Sequence, residues 1–310
     1  MGQDQSIDRT RRRLLAALAA AATPLPSWTL AATDAAAHTR PIPASGEHIP
    51  VVGMGSYVTF NVGEDPVLLD SRTEVLRAFF AAGGGMIDSS PMYGSSEQVI
   101  GTCLERLGRP PGLFSATKVW TWLAGSGAEQ MLESRRLWGL PAFDLMQVHN
   151  LLSWEDHLQT IRREREAGLV RYVGLTTSHG RRHDELQRLM REEPLDFVQF
   201  TYNILDREAE QRLLPLAAER GIAVIVNRPF RRGDLVRQLE RHPLPPWAGE
   251  IGCTTWAQFL LRFIVSHPAV TCVIPATSRV DHMRENMAVL HGPVPDPATR
   301  RRMIAYVEAL

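Results

Sequence analysis

Lysine is all but missing from this 310-residue chain: Lys118 is the only one among 34 basic residues. Arginine keeps its proton and presents a planar fork, whereas lysine is a compact charge whose pKa shifts on burial. Position 118 therefore reads either as a place where an amine is needed or as a survivor of arginine-biased codon usage. Net charge is also missing, with 34 basic and 34 acidic residues interleaved. No basic face with interspersed aromatics results, which argues against a nucleic-acid partner. Cysteine is scarce. Cys103, Cys253 and Cys272 are an odd set without disulfide-framework or metal spacing, and they read as packing residues. The body has no repeat with a 20–50-residue period and no low-complexity stretch. The apolar run Leu14–Ala22 is about nine residues, less than half of the roughly twenty that span a bilayer, so it gives no permanent membrane anchor.

What is present is an alternation. Strand-like runs fall at Val51–Tyr57, Met86–Asp88, Phe114–Lys118, Phe143–His149, Arg171–Thr176, Phe197–Tyr202, Ala223–Val226 and Thr271–Pro275. Helical patterns follow each of them, at 73–82, 96–107, 128–139, 154–167, 183–191, 208–220, 255–266 and 280–290. Repeated β-then-α units imply a parallel sheet. Eight of them in roughly 260 residues match a single-domain α/β fold of the (β/α)8 TIM-barrel type. A doubly wound open sheet is the competing architecture, but no G-x-G-x-x-G opens the first helix.

In such barrels catalytic groups sit on the carboxyl-terminal strand ends, and three strands here end on ionisable residues. Met86–Asp88 ends at Asp88, Phe114–Lys118 at Lys118, and the run from Phe143 leads to His149; Tyr93 follows Asp88 by five residues. An ammonium among apolar neighbours requires a carboxylate or hydrogen bonds to offset its desolvation, and Asp88 is the candidate partner. A phenol close to a cation can act as a proton donor and acceptor. At about 4 Å the attraction favours phenolate by up to roughly 4 kcal/mol at an effective dielectric near 20.

The segments D-S-S-P-M-Y-G at Asp88 to Gly94, T-K at Thr117 and Lys118, and V-H-N at Val148 to Asn150 place Asp, Tyr, Lys and His in order with offsets of 5, 25 and 31. Over about residues 45 to 292 the chain resembles the aldo-keto reductases. That resemblance implies a nicotinamide cofactor and a small carbonyl substrate reduced by hydride transfer, or the alcohol oxidised in reverse. Tyr93 would be general acid/base, tuned by Lys118; Asp88 would hold the ammonium, and His149 would orient the substrate oxygen. No metal ion is called for. Two other functions share these residues: a Schiff-base aldolase using Lys118, and a nicotinamide-binding sensor or partner subunit without turnover.

For the cofactor, V-I-P-A-T-S-R-V-D-H-M-R-E-N at Val273 to Asn286 runs from a strand into a helix whose free N–H groups suit a phosphate. The resemblance assigns Thr277, Ser278, Arg279, Glu285 and Asn286 to the adenosine end, with NADPH preferred over NADH, and Gln199 to the nicotinamide. Two departures stand out. Thr176 and Thr177 replace the family's Ser-Asn, so a threonine hydroxyl substitutes for a carboxamide-binding Asn, and Asn227 and Arg228 stand where an aromatic usually stacks on the nicotinamide, leaving that platform missing unless Phe230 swings in. Arg228, Arg231 and Arg232 can instead neutralise the pyrophosphate. Tyr57, Trp120 and Trp122 are expected to wall the substrate pocket, and the Pro- and Arg-rich stretch 228–254 to act as a lid, a clasp or structural cover.

The amino terminus, T-R-R-R-L-L at Thr10 to Leu15 followed by alanines, resembles a twin-arginine export signal. Residues 1–37 are then a leader, with cleavage after Ala31, Ala32 or Ala37, and 38–310 the barrel. The twin-arginine (Tat) export machinery becomes a partner and the periplasm the destination; a cytoplasmic enzyme with an alanine-rich leader is the alternative.

Overall fold

A computed structural model describes residues 37–123 and 125–310. Residues 1–36 of the expected leader lie outside the described residues. Two short antiparallel strands come first, β1 (Thr39–Pro41) and β2 (His48–Pro50). Eight parallel strands then form one sheet: β3 (Met54–Gly55), β4 (Met86–Asp88), β5 (Phe114–Val119), β6 (Phe143–Val148), β7 (Val170–Thr176), β8 (Phe197–Thr201), β9 (Ala223–Asn227) and β10 (Cys272–Val273). They pair strictly in chain order, and a parallel bridge between Val52 and Val273 brings the last strand to the first. Gly53 N–H donates to Val273 O at 2.9 Å and Val273 N–H to Val51 O at 2.9 Å. This is the expected eight-stranded β/α barrel.

Strand residues alternate between the barrel lumen and the helix ring. Inward positions of the first strand turns are apolar: Met86, Phe114, Leu145, Tyr172, Phe197, Ala223 and Cys272 share one buried cluster. Ile42 and Ile49 of the β1–β2 hairpin belong to the same cluster, so the hairpin plugs the amino-terminal mouth. A polar clamp holds it there, with Arg171 bridging Glu47 and Asp144 and the Tyr172 hydroxyl donating to Glu47 Oε2 at 2.7 Å. The outward positions pack against the helices in a second, larger cluster. Cys103, Cys253 and Cys272 are buried free thiols, as expected of packing residues.

Local chemistry moved several boundaries. The first helix begins at Pro66, not at 73, because Asp65 caps it by accepting from Val67 and Leu68 N–H and Pro66 occupies the first turn. The segment expected as one helix over 208–220 is a 3-10 turn at Glu208–Glu210 and a helix only from Leu213–Arg220. Pro215 lacks the N–H that a longer helix would need there. A helix at Pro297–Glu308, capped by Asp296, follows the eightfold alternation. Among the described residues no helix is long and apolar enough to cross a membrane.

Burying an isoleucine side chain is worth about 1.5–3 kcal/mol, and a cavity left in its place adds to the loss. Ile42→Ala is therefore expected to lower unfolding free energy by about 2–5 kcal/mol, read from denaturant melts. A loss below 0.5 kcal/mol would show that the plug does not help to hold the barrel.

Candidate active site

The lumen changes character toward the carboxyl ends of the strands. Continuing the inward series from Met86, Phe114, Leu145 and Phe197 by two residues along each strand leads to Asp88, Ala116, Gln147 and Gln199. A further step on β5 and beyond β6 gives Lys118 and His149. Lys118 Nζ donates to Asp88 Oδ2 at 2.5 Å and to the Ser89 carbonyl at 2.8 Å, with the lysine only 1% exposed. Asp88 Oδ1 accepts from Gln147 Nε2 and Gln199 Nε2, each at 3.0 Å. Every oxygen of the buried carboxylate is thus engaged, as burial demands. Gly174 on β7 makes room: a Cβ there would lie 3.0 Å from Gln147 Cγ and 3.0 Å from Phe197 O.

Tyr93 comes from the turn after β4. Ser90 caps a 3-10 turn over Pro91–Tyr93 by accepting from Met92 N–H at 3.2 Å, and this swings the phenol ring to within 5.3 Å of Lys118 Nζ. His149 lies edge-on to Tyr93, ring centroids 5.7 Å apart, and its Nδ1 is 2.8 Å from Ser90 Oγ. Asn150, Leu151 and Ser153, just after it, all adopt positive φ. Such strain persists only where surroundings enforce it. Arg182 does so by donating to the Asn150 and Leu151 carbonyls, and Thr176 Oγ1 accepts from Asn150 N–H at 2.9 Å.

The electrostatics correct one expectation. Burial pushes the Tyr93 phenol above its ordinary range; the Lys118 charge pulls it down but does not win. Tyr93 is therefore a protonated donor at neutral pH. Burial alone would lower the Lys118 ammonium, yet Asp88 and Tyr93 outweigh it and hold the amine above its usual value. Burial, aided by Lys118, keeps the His149 imidazole neutral well below the usual histidine range.

A cavity of about 610 Å3 opens onto Tyr93 and His149. Thr176, Thr177, Gln199, Asn227 and Arg228 line it, and it continues to Thr277, Glu285 and Asn286 at the helix Val280–Met287. Tyr57 walls it as expected, edge-on to Tyr93 at 5.0 Å and under the Arg232 guanidinium, which donates to its hydroxyl at 3.0 Å. Trp120 and Trp122 do not wall it: they are 38% and 77% exposed, on a loop that turns outward after β5. Ser278 and Arg279 also lie outside its walls, Arg279 forming an exposed ion pair with Asp281. The stretch 228–254 contributes residues from Arg228 to Glu240, among them Arg228, Phe230, Arg232 and Val236, whereas Arg231 turns away to pair with Asp206.

Sequence reasoning missed Gln147 and Ser90. The signal for Gln147 was its spacing of two from His149 in a strand whose only other polar residue is Asp144; Ser90 gave no comparable signal, since its partner is 59 residues away.

The site fits a nicotinamide nucleotide at Thr177 and departs from the expected arrangement at Asn227. Thr177 Oγ1, lining the cavity, is a buried hydroxyl without a hydrogen-bond partner, the group expected to take a carboxamide. Asn227 donates to the Thr177 carbonyl at 2.9 Å and accepts from Thr201 Oγ1 at 2.7 Å, linking the residue after β7 to β8 and β9.

The Aldo/keto reductase family profile matches residues 51–301. Aldo-keto reductase str7 of Strobilurus tenacellus is 27% identical over 257 residues, covering 70% of this chain and 76% of its own. Methylglyoxal reductase YeaE of Escherichia coli is 26% identical over 249 residues, covering 78% and 86%. Among solved structures, a Klebsiella pneumoniae aldo/keto reductase in complex with NADP and acetate superposes with a TM-score of 0.72 at 22% identity, over 84% of this chain and 92% of that one. The holo form of an aldo-keto reductase from Bacillus halodurans gives the same TM-score and identity over 88% and 96%, a likeness of fold. With the family profile spanning the barrel, and with Asp88, Tyr93 and His149 lining one cavity beside the buried Lys118, the chain belongs to the aldo/keto reductase family.

Proposed function

We propose that this protein is a carbonyl reductase using NADPH, with an aldehyde or ketone as substrate and the reverse alcohol oxidation open to it. The observation that carries the proposal is the convergence of Tyr93, the Lys118–Asp88 pair and His149 at one end of a cavity whose other end reaches Asn286. When bound, a reduced nicotinamide supplies the hydride. The protein's own share is the proton. As negative charge builds on the carbonyl oxygen, the Tyr93 hydroxyl donates its proton, and the buried Lys118 ammonium stabilises the phenolate left behind. Asp88, with Gln147 and Gln199 behind it, keeps the ammonium charged and aimed. His149 faces the same cavity as a neutral imidazole and orients the substrate oxygen.

Thr176, Thr177, Gln199 and Asn227 form the nicotinamide end in this proposal, and Thr277, Ser278, Arg279, Glu285 and Asn286 the adenosine end. Arg228 and Arg232 would face the pyrophosphate. Burial and the neighbouring Arg232 hold the Arg228 guanidinium below its ordinary value, a cation poised for an anion. The preference for NADPH rests on Arg279, which would exchange Asp281 for a 2′-phosphate; the Klebsiella complex contains NADP, whereas a 23% identical Escherichia coli relative is named an NADH-specific methylglyoxal reductase. An aldolase role for Lys118 is disfavoured by an ammonium that is buried, paired and held protonated. The complete set of proton-transfer groups favours turnover over a sensor.

We also propose that the protein is exported folded by the twin-arginine route with its nucleotide aboard. His38 supports a cleavage on its amino-terminal side, because its N–H donates to Leu290 O at 2.7 Å and its ring contacts Gly292 O.

Tyr93→Phe should lower carbonyl reduction by about 100-fold or more while NADPH binding, followed by fluorescence titration, stays intact; retained turnover would remove Tyr93 from its role. Because burial raises the phenol pKa, reduction should stay level from about pH 7 to about pH 10 and fall only above that, as the proton to be donated is lost. Oxidation of the alcohol should rise over the upper range. The neutral imidazole of His149 adds no inflection near 6.5, so a kcat profile falling through pH 6–7 would contradict the assignment. Replacing the arginine run by Arg11→Lys, Arg12→Lys and Arg13→Lys should retain the protein in the cytoplasm, whereas the native chain should fractionate to the periplasm with nucleotide bound. Equal distribution of both, or a nucleotide-free periplasmic form, would count against export of a loaded barrel.

A further inference from the structure

Ser90 touches both the turn that carries Tyr93 and the ring of His149. It is fully buried, and its hydroxyl has two polar contacts among the described residues: Met92 N–H donates to the oxygen at 3.2 Å, and His149 Nδ1 lies 2.8 Å from the same oxygen. A serine hydroxyl has one proton to give and two lone pairs to offer. Were Nδ1 the protonated nitrogen, it would donate to Ser90, and the serine's own proton would be buried without an acceptor, which costs about 1–3 kcal/mol. If Ser90 instead donates to an unprotonated Nδ1, every group in the chain Met92 N–H, Ser90 O–H and His149 Nδ1 is satisfied.

We infer that Ser90 is a positioning residue that locks His149 as the Nε2–H tautomer, so that the imidazole offers a hydrogen-bond donor to the cavity beside the Tyr93 hydroxyl. The consequence is a paired donor. One serine fixes the turn that places the phenol and the tautomer that readies the imidazole, so both protons come from one local unit. The described residues provide no hydrogen-bond partner for Nε2, and His149 lines the cavity, so this N–H is left for a bound carbonyl oxygen. The use made of that donor rests on the carbonyl reductase proposal; the tautomer does not.

The test is two-bond 1H–15N correlation on protein labelled with 15N-histidine, His149 being assigned by its disappearance in His149→Gln. The native protein should show the Nε2–H pattern for His149, and Ser90→Ala should convert part or all of it to the Nδ1–H pattern. A hydroxyl that merely caps the Tyr93 turn would leave the imidazole pattern unchanged. In turnover, Ser90→Ala should lower kcat by roughly 10- to 100-fold, less than the roughly 100- to 1000-fold cost of deleting such a donor outright, with NADPH binding preserved. A native His149 in the Nδ1–H form, or an unaltered tautomer in Ser90→Ala, overturns the inference even if the variant is slow. The expected tautomers in a protein that reduces no carbonyl would uphold the lock and refute the reductase proposal instead.

Discussion

A single ammonium buried at the carboxyl end of the barrel dictates much of what surrounds it. Removing a charge from water costs several kcal/mol, which only close pairing and complete hydrogen bonding repay. Asp88 supplies the opposite charge and the Ser89 carbonyl a second acceptor, but the carboxylate is then itself buried and needs donors. Gln147 and Gln199 provide them from two neighbouring strands, and Gly174 clears the volume that Gln147 occupies. A polar layer is thereby built into a lumen whose lower half is sealed by Ile42, Ile49, Phe114, Tyr172 and Phe197. Elsewhere the chain places its cations as arginines, mostly at partly exposed positions where pairing is worth about 1 kcal/mol or less. The Lys118–Asp88 pair is not an efficient way to stabilise a fold. Its value lies in fixing a positive charge beside a phenol.

Rigidity and strain are divided between the two ends of the barrel. The amino-terminal mouth has a plug, an ion-pair clamp and an apolar cluster. At the carboxyl-terminal mouth, Asn150, Leu151, Ser153, Arg228, Arg231 and Arg232 all hold positive φ without being glycine. Those conformations are costly, and they persist because neighbouring groups hold them, as Arg182 does for the loop after β6. Asn227 extends the same principle. Where the resemblance leads one to expect an aromatic face, this chain has an amide that binds Thr177, Thr201 and Gln199, and Phe230 is the aromatic of the following stretch that lines the cavity. In the proposed binding mode the unpartnered Thr177 hydroxyl would be one of the hydrogen-bonding groups left for the nicotinamide.

The amino-acid order already contained the barrel and its four central residues. Alternating β and α patterns reveal themselves locally, through period-two and period-3.6 spacing of apolar residues, and a charged residue ending an apolar run is visible without any partner. Asp88, Lys118 and His149 could be read for that reason, and Tyr93 by its distance from Asp88. Helix starts such as Pro66 depended on cap chemistry at Asp65, present in the sequence but weaker than hydrophobic periodicity.

Other features needed the chain to close on itself. The hairpin plug pairs residues near 45 with Arg171 and Tyr172, more than 120 positions away, and no local pattern encodes such a meeting. Trp120 and Trp122 looked like pocket walls because they follow Lys118, yet the direction of the loop after β5 sends them outward. Gln147 and Ser90 acquire meaning only from what curvature brings beside them, a carboxylate and an imidazole each 59 residues distant. The balance of burial against charge at Tyr93 is likewise a property of three-dimensional surroundings: desolvation sums over all neighbours, and a list of residues cannot state how many of them there are. Residue types and their spacing thus set which chemistry is present, while barrel closure sets which atoms meet, how dry they are and which protons they keep.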